Sequence, residues 1–326
     1  MSLACFSRNL SPEFSPVITI GNFDGFHTGH RKLWKEAQKM AAAFETEWGI
    51  LTFSPHPSSV ITGTKVPMLM SNHSKIAAAK AMGASFIVIQ HFDDQFAQTT
   101  SSEFLDFLLP NKGRICGLVV GYDFHFGKGR QGQTDDLMDK LNRNNISFMK
   151  VAPVSEAAVP VSSTRIRNLL IDTGDMTSIS RLLGRPYSVY GKVIHGNKVG
   201  RTIGFPTANI DNTEEALPRS GVYSGFVASN YVDPISFPED LLPMIANIGT
   251  APTITPEQKQ KLEVHILSSN IPNDSLYEKD LRIYFCHRLR SEIKFESLNQ
   301  LTSQISSDKK TALSELHPPS DYWKHW

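Results

Sequence analysis

The sequence predicts an α/β domain followed by an antiparallel β domain, and three observations carry that prediction. Short apolar, β-branched runs alternate with helical patterns through the first half. Three turns rich in Gly, His and Pro follow strands of that half. Near Leu183-Gly184-Arg185-Pro186 the pattern changes to short, often alternating strands separated by Gly, Pro, Asn and Asp.

In chain order, Val17, Ile18 and Ile20 form a β-branched run suited to a buried strand. Gly21-Asn22 ends it, Asp24-Gly25 turns the chain, and from His27 onward Leu33, Trp34 and Ala37 share one helical face. Strands follow at 49–53, 86–89, 115–120 and 146–151, with helices over 74–82, 103–109 and 135–141 between them. Gly83 is placed to cap the first of these helices. The prolines of Ser54-Pro55-His56-Pro57 predict a loop at a strand's end. This alternation points to a parallel sheet covered on both faces, with ligands beyond the carboxyl ends of its strands. Beyond residue 184, strands at 188–194, 221–229, 244–248, 263–267 and 281–289 predict an antiparallel barrel or sandwich. One helix follows, with Leu298, Leu301 and Ile305 on one side, and HPPSDYWKHW is a packed or loosely ordered end. The expected domains are 1–183 and 184–326, so residues 184–326 are expected to fold by themselves.

At 326 residues the chain is long enough for two cores. Lys+Arg 33 against Asp+Glu 32 leaves it near neutral, which argues against a broad grip on nucleic acid. No run of 18 apolar residues is present and MSLACFSRNLSPEF has no apolar signal core, which predicts a cytoplasmic protein that does not enter membranes. Cys5, Cys116 and Cys286 are few and widely spaced, which speaks against disulfides or a zinc knuckle; Cys116 and Cys286 read as reduced core residues.

The chemistry concentrates in a few stretches. In VITIGNFDGFHTGH a strand, a glycine-bearing turn and a helix start make a place where unpaired N–H groups attract phosphate. His27 and His30, three residues apart, can reach one side and hold charge developing on phosphorus. Gly29 between them would let a ligand come close. In VSSTRIR the hydroxyls of Ser162, Ser163 and Thr164 fit helix capping, and Arg165 and Arg167 fit phosphate equally well. In GKVIHGNKVGRTIGFPTANI, Gly196, Gly200 and Gly204 permit a phosphate-facing loop, though it is not a Walker A loop. Thr207 and Asn209 flank Ala208 on one face of an extended segment and offer hard oxygen ligands for Mg²⁺.

These motifs resemble the bacterial bifunctional riboflavin kinase/FMN adenylyltransferase (FAD synthetase) family, a branch of the His-x-Gly-His nucleotidylyltransferases. GNFDGFHTGH and SSTRIR resemble its adenylyltransferase half. GRTIGFPTAN, NIGTAPT, LEVHIL and RLRSEIKF resemble its flavokinase half. The resemblance spans residues 17–305. It implies a Rossmann-like nucleotidylyltransferase domain with a parallel sheet, then an antiparallel β-barrel riboflavin kinase domain with a C-terminal helix. It implies phosphorylation of riboflavin to FMN, then adenylyl transfer from ATP to FMN giving FAD and pyrophosphate, with Mg²⁺ as cofactor. His27, His30 and Glu263 would be catalytic, Glu263 as general base. Gly21, Asn22, Phe23, Gly25, Ser162, Ser163, Thr164, Arg167, Gly196, Gly200, Arg201, Gly204 and Asn247 would meet ATP. Phe53, Pro55, Asp123 and Arg290 would meet flavin, and Thr207 and Asn209 the metal.

The chain departs from the family pattern at His125 (Arg in Asp-Phe-Arg-Phe-Gly), Gln133, Ser268, Ser269, Ser275 and Glu278. The last four imply a kinase with weakened riboflavin binding. The expected partners are small molecules only, with the chain a monomer or weak homo-oligomer. Two alternatives stand beside this reading. One is an adenylyltransferase for another phosphorylated substrate, the other a flavin-binding protein with one inactive domain.

Overall fold

The computed structural model describes residues 3–7, 15–108, 115–132, 134–194, 204–211, 214–229, 233–238, 240–250, 260–268 and 279–323. Its contacts divide the chain into two compact units, Met1–Met68 with Lys75–Val161, and Leu69–Ser74 with Ser162–Trp326.

The first unit is built on a six-stranded sheet. Its strands are β1 (Leu3–Ser7), β2 (Val17–Ile20), β3 (Trp48–Ser54), β4 (Phe86–His91), β5 (Gly117–Gly121) and β6 (Ser147–Val151), in the order β1-β4-β3-β2-β5-β6. The five strands expected from the sequence are parallel. The sixth, β1, pairs antiparallel with β4 at the edge and was not anticipated. All four residues of β2 are buried, as a central strand covered on both faces requires. After β2, α1 (Thr28–Ala43) buries Leu33, Trp34, Ala37 and Ala41 at helical spacing.

Short helices α2 (Pro57–Thr62), α3 (Asn72–Ala81), α4 (Asp94–Ala97), α5 (Ser101–Leu108) and α6 (Thr134–Arg143) fill the connections. The loop expected through Pro57 is shorter than the sequence implied. Pro57 opens α2, where a missing N–H costs nothing, and the His56 side chain accepts from Ser58 N. A two-stranded ribbon, β7 (Ser155–Glu156) with β8 (Val159–Pro160), was also missed.

The second unit is a closed antiparallel barrel of β9 (Tyr187–Ile194), β10 (Ala208–Asp211), β11 (Gly221–Ser229), β12 (Leu242–Thr250), β13 (Gln260–Ile266) and β14 (Asp280–Arg290). The order is β10-β13-β12-β11-β14-β9, closed by pairing of β9 with β10. Gly225 in β11 is where strand backbones crowd, because a Cβ there would lie 1.9 Å from the Tyr284 carbonyl oxygen. Preceding the barrel, α7 (Ser163–Asn168) passes into a π-turn at Leu169–Thr173, so the helix expected to run to Ile171 ends earlier as a regular α-helix. Then α8 (Met176–Leu183) buries Met176, Ile179, Leu182 and Leu183 and packs on β9 and β14.

After the barrel, α9 (Leu298–Glu315) is longer than the expected helix, and its buried stripe differs. Leu298 is 61% exposed, whereas Asp308 and Ala312 are buried. The C-terminal segment is packed, with Trp323 against Tyr284. Cys286 is a buried free thiol, and burial pushes its pKa up; Cys116 is free and only half-buried, so the core reading holds for the first alone.

Residues Leu69–Ser74 join this unit through a buried polar network. The Glu215 carboxylate accepts from Ser71 Oγ at 3.0 Å, from Tyr190 N at 2.6 Å and from Ser74 Oγ. Arg282, 0% exposed, donates to Ser74 Oγ at 2.9 Å and to Ser188 Oγ at 3.3 Å. A fragment of residues 184–326 leaves out α8 and this segment. We expect a fragment of residues 162–326 to melt at a higher temperature than one of 184–326, since each large apolar side chain of α8 contributes about 1.5–3 kcal/mol by its burial. Equal melting temperatures of the two purified fragments would show that α8 adds nothing.

Candidate active sites

The first candidate site is the turn between β2 and α1. Gly21 N donates to Leu51 O, keeping the chain on the sheet as it leaves the strand. The turn then uses left-handed backbone at Phe23 (φ 44°), Gly25 (φ 85°) and Phe26 (φ 42°). For phenylalanine that conformation costs roughly 1–2 kcal/mol per residue. Burial offsets it. Phe23 is 0% and Phe26 1% exposed, and both rings pack edge-on against Trp34 of α1, at 5.6 and 4.1 Å between centroids. The Asn22 carbonyl accepts from Lys75 Nζ at 2.9 Å and Thr52 Oγ1 at 3.1 Å, which pins the turn from two sides.

The two histidines meet as the spacing predicted, in a specific arrangement. His27 is the N-cap of α1, and its Nδ1 accepts from His30 N at 3.3 Å. Nδ1 therefore carries no proton, and a neutral His27 donates through Nε2. The rings stack at 3.6 Å with 18° between planes. Burial first, then the charge of His27 and of Lys75, holds the His30 pKa well below the usual histidine value. His30 is thus a neutral imidazole, and its buried Nδ1 has no hydrogen-bond partner.

Gly29 lies against the ring of His27. A Cβ there would lie 3.1 Å from Nδ1 and Cε1 of His27, so the glycine makes room for the imidazole beside it. We expect Gly29→Ala to tilt that ring and slow FAD formation about tenfold. Steady-state assay beside wild type checks this, and an unchanged rate would show that the ring has slack.

Sheet order puts two further stretches beside this turn, since β3 and β5 flank β2 and run parallel to it. Phe53 near the end of β3 packs against Phe92 and Phe96 at 5.9 and 6.1 Å, and Pro55 follows the strand. Asp123 follows β5, with Phe124 and Phe126 stacked at 5.8 Å. His125, where the family pattern has arginine, has Arg130 Nη2 at 3.0 Å from its Nδ1. Gln133 lies outside the described residues.

The Ser162 motif belongs to the second unit. Ser162 caps α7 by accepting from Arg165 N at 3.2 Å, which is the capping expected of it. Ser163 and Arg167 are half-buried and Thr164 is exposed.

The second candidate site is a row across three barrel strands. Asn209 of β10 faces Glu263 of β13, and Glu263 faces Asn247 of β12. Directly opposed residues of antiparallel strands have Cβ atoms about 4.5–5.5 Å apart, so amide, carboxylate and amide lie within mutual reach. The flanking residues Ala208, Ile210, Leu262, Val264, Ala246 and Ile248 are buried, whereas the three polar residues are half-exposed. Just before β10, the Pro206 carbonyl accepts from His265 Nδ1 at 2.7 Å, tying down the chain next to Thr207. Gly204 takes left-handed backbone (φ 82°). Gly196, Gly200, Arg201, Ser269, Ser275 and Glu278 lie outside the described residues; Ser268 follows β13.

Arg290 of β14 continues that row across β11, since Val222 lies opposite both Arg290 and Asn247. Its Nε and Nη2 bond Asp308 of α9 in a fork at 3.0 and 2.7 Å, and Nη1 donates to Ser291 O. The guanidinium is engaged in joining α9 to the barrel, a use the sequence reading did not foresee.

Oxygen donors at Thr207 and Asn209 suit Mg²⁺ by type. Among the described residues no group of three His, Cys, Asp or Glu side chains is placed to hold a metal. Sequence reasoning also missed Lys75, Glu215, His265 and Asp308. For Lys75 a signal existed, since it shares one helical face with Ala78 and Ala79.

Known proteins resemble both halves of the chain. The FAD synthetase family model matches residues 12–165 and the riboflavin kinase model residues 183–316. The bifunctional riboflavin kinase/FMN adenylyltransferase of Escherichia coli K12 is 34% identical over 308 residues, covering 94% of this chain and 95% of that protein. That of Pseudomonas fluorescens is 33% identical over 319 residues, covering 98% and 99%. A crystal structure described as a macrolide-efflux protein from Streptococcus pneumoniae superposes with TM-score 0.81 at 26% identity, over 94% of this chain and 97% of that one. Among the described residues, no helix is long and apolar enough to cross a membrane. Two family models in tandem and relatives of this identity along nearly the whole chain lead to one statement: it belongs to the bifunctional riboflavin kinase/FMN adenylyltransferase family.

Proposed function

We propose that the chain makes FAD in two steps, each in its own part of the sequence, divided near residue 184. The riboflavin kinase match starting at residue 183 supports that division. In the first step the ribityl 5′-hydroxyl of riboflavin attacks the γ-phosphorus of ATP, its proton passes to Glu263, and ADP leaves with FMN formed. The row Asn209–Glu263–Asn247 carries this reading, since it sets a carboxylate between two amides on adjacent strands. Thr207 and Asn209 would hold Mg²⁺, which supplies charge neutralisation to the phosphates. Asn247 and the glycine loop through Gly204 would meet ATP. Positioning and electrostatics supply most of such a transfer.

In the second step an FMN phosphate oxygen attacks the α-phosphorus of a second ATP and pyrophosphate leaves. FMN brings its own anionic nucleophile, so no protein nucleophile takes part. His27 and His30 act as preorganised N–H donors to charge developing on the α-phosphate. Gly21, Asn22, Phe23 and Gly25 form the phosphate-facing turn. Ser162, Ser163, Thr164 and Arg167 are assigned to the departing phosphates, and Phe53, Pro55 and Asp123 to the flavin. Arg290, which holds α9 through Asp308, is assigned to the flavin of the kinase site as well. The substrates are small molecules, and we place the enzyme in the cytoplasm, without nucleic-acid partners, as a monomer or weak homo-oligomer.

The adenylyltransferase alternative with another substrate has no use for a riboflavin kinase half. Full-length protein incubated with riboflavin, ATP and Mg²⁺ should yield FMN and then FAD, separated by chromatography. FMN that accumulates without FAD would sink the second assignment, and unreacted riboflavin the first.

A further inference from the structure

The helix α3 carries a lysine on its buried face. Lys75 is 1% exposed and shares that face with Ala78 and Ala79, both 0% exposed. Burying an ammonium is strongly unfavourable unless its N–H groups are met, so the contacts Lys75 makes identify what it is for. Its Nζ donates at 2.9 Å to the carbonyl of Asn22, the residue that opens the adenylyl-site turn. Thr52 Oγ1 donates to the same oxygen at 3.1 Å, so both of its lone pairs are used. The charged and titratable groups facing Lys75 are Asp24 of the turn, which is fully buried, and His30 of α1, on which His27 stacks. Burial lowers the Lys75 pKa and Asp24 opposes that shift.

We propose that Lys75 is a positioning residue for adenylyl transfer, its ammonium fixing the Asn22 carbonyl and holding a positive charge beside the stacked His27–His30 pair. The inference rests on the assignment of that pair to the α-phosphate and adds a residue that no motif contains. Lys75 acts through the backbone and the imidazoles. It sets where the turn's N–H groups point, and it keeps a proton from being added to rings that must donate without being charged. Removing it relaxes both constraints. His30 then loses a repelling cation, so protonation becomes easier and its titration midpoint moves to higher pH.

Two full-length variants test this. Lys75→Met keeps the length of the side chain without donor or charge, and Lys75→Arg keeps both. We expect Lys75→Met to lower kcat for FAD formation about 10²-fold, the scale of a small misplacement of reacting groups. KM for ATP should change less than about threefold, since ground-state binding is not what is lost. FMN formation should stay at the wild-type rate, and Lys75→Arg should recover part of the loss. NMR titration of the imidazole Cε1–H resonances should show the His30 midpoint raised in Lys75→Met. An unaltered kcat for FAD would overturn the proposal, as would FMN and FAD formation falling together, or an unmoved His30 midpoint. If the wild-type chain itself makes no FAD, the adenylyltransferase assignment falls separately, and the titration, which needs no turnover, still decides the role of Lys75.

Discussion

His27→Ala and His30→Ala each lower FAD formation at least ~10²-fold while FMN formation continues, because each removes a preorganised donor worth about 3 kcal/mol in the transition state. The two losses differ in origin. His27 also caps α1, and losing a cap costs about 1 kcal/mol of helix stability. His27→Asn separates the two contributions, since asparagine caps well but cannot stack on His30. We expect His27→Asn to melt like the wild type and still lose about 10²-fold in FAD formation. His30→Ala removes a ring packed 5.1 Å from Phe23, so Phe23 can leave its left-handed backbone more easily. Coupled assay of pyrophosphate release, with flavin phosphorylation measured alongside, reads both variants. Wild-type FAD rates in both would move the adenylyl site elsewhere in the chain.

Asp308→Ala strips the buried fork from Arg290, and the cost is expected on stability rather than on a single catalytic step. The side chains are 18% and 6% exposed, so solvent screens the pair poorly. Gln304 Nε2 also donates to Asp308 Oδ1 at 2.9 Å. Breaking a buried pair by removing one partner costs about 3–5 kcal/mol, because the other charge stays buried and unmet. For a unit of this size that is a fall of roughly 6–20 °C in its melting temperature. Replacing both partners together, Arg290→Met with Asp308→Leu, should recover most of the loss, since an apolar pair leaves no orphaned charge. Calorimetry on the wild type, Arg290→Met, Asp308→Leu and the double variant makes the cycle. A double variant no better than Asp308→Ala would mean that the fork is worth more than its desolvation.

The sequence made the parallel strands legible because central strands covered on both faces must be continuously apolar, and Val17–Ile20 is. It concealed β1, whose place at the sheet edge depends on pairing with β4, nearly the whole sheet away in sequence. The far end of α9 is hard to read from sequence because its buried positions are Asp308 and Ala312, and only a partner on another element, Arg290, makes Asp308 acceptable there. The histidine pair was legible from a three-residue spacing. Its electrostatic setting was not, because Lys75 comes from a helix 45 residues further on. That Gly29 also makes room for the ring of His27 follows only from the fold of the turn. The kinase row could be half seen. Thr207 and Asn209 shared a face by alternation, but the register that brings Glu263 and Asn247 beside Asn209 follows only from barrel closure.

That closure also sets a schedule for synthesis. The first barrel strand pairs with the last, Tyr187 opposite Phe285, so β9 emerges about a hundred residues before β14 can cover its second edge. At roughly 5–20 residues per second, the nascent chain holds an open sheet for about 5–20 s. Its two edge strands, β9 and β11, expose backbone donors and acceptors that another chain can take up. A message that ends before Asp280 therefore yields no smaller kinase, only a sheet with two bare edges. Between the synthesis of β13 and that of β14 the chain therefore offers chaperones two open strand edges to bind.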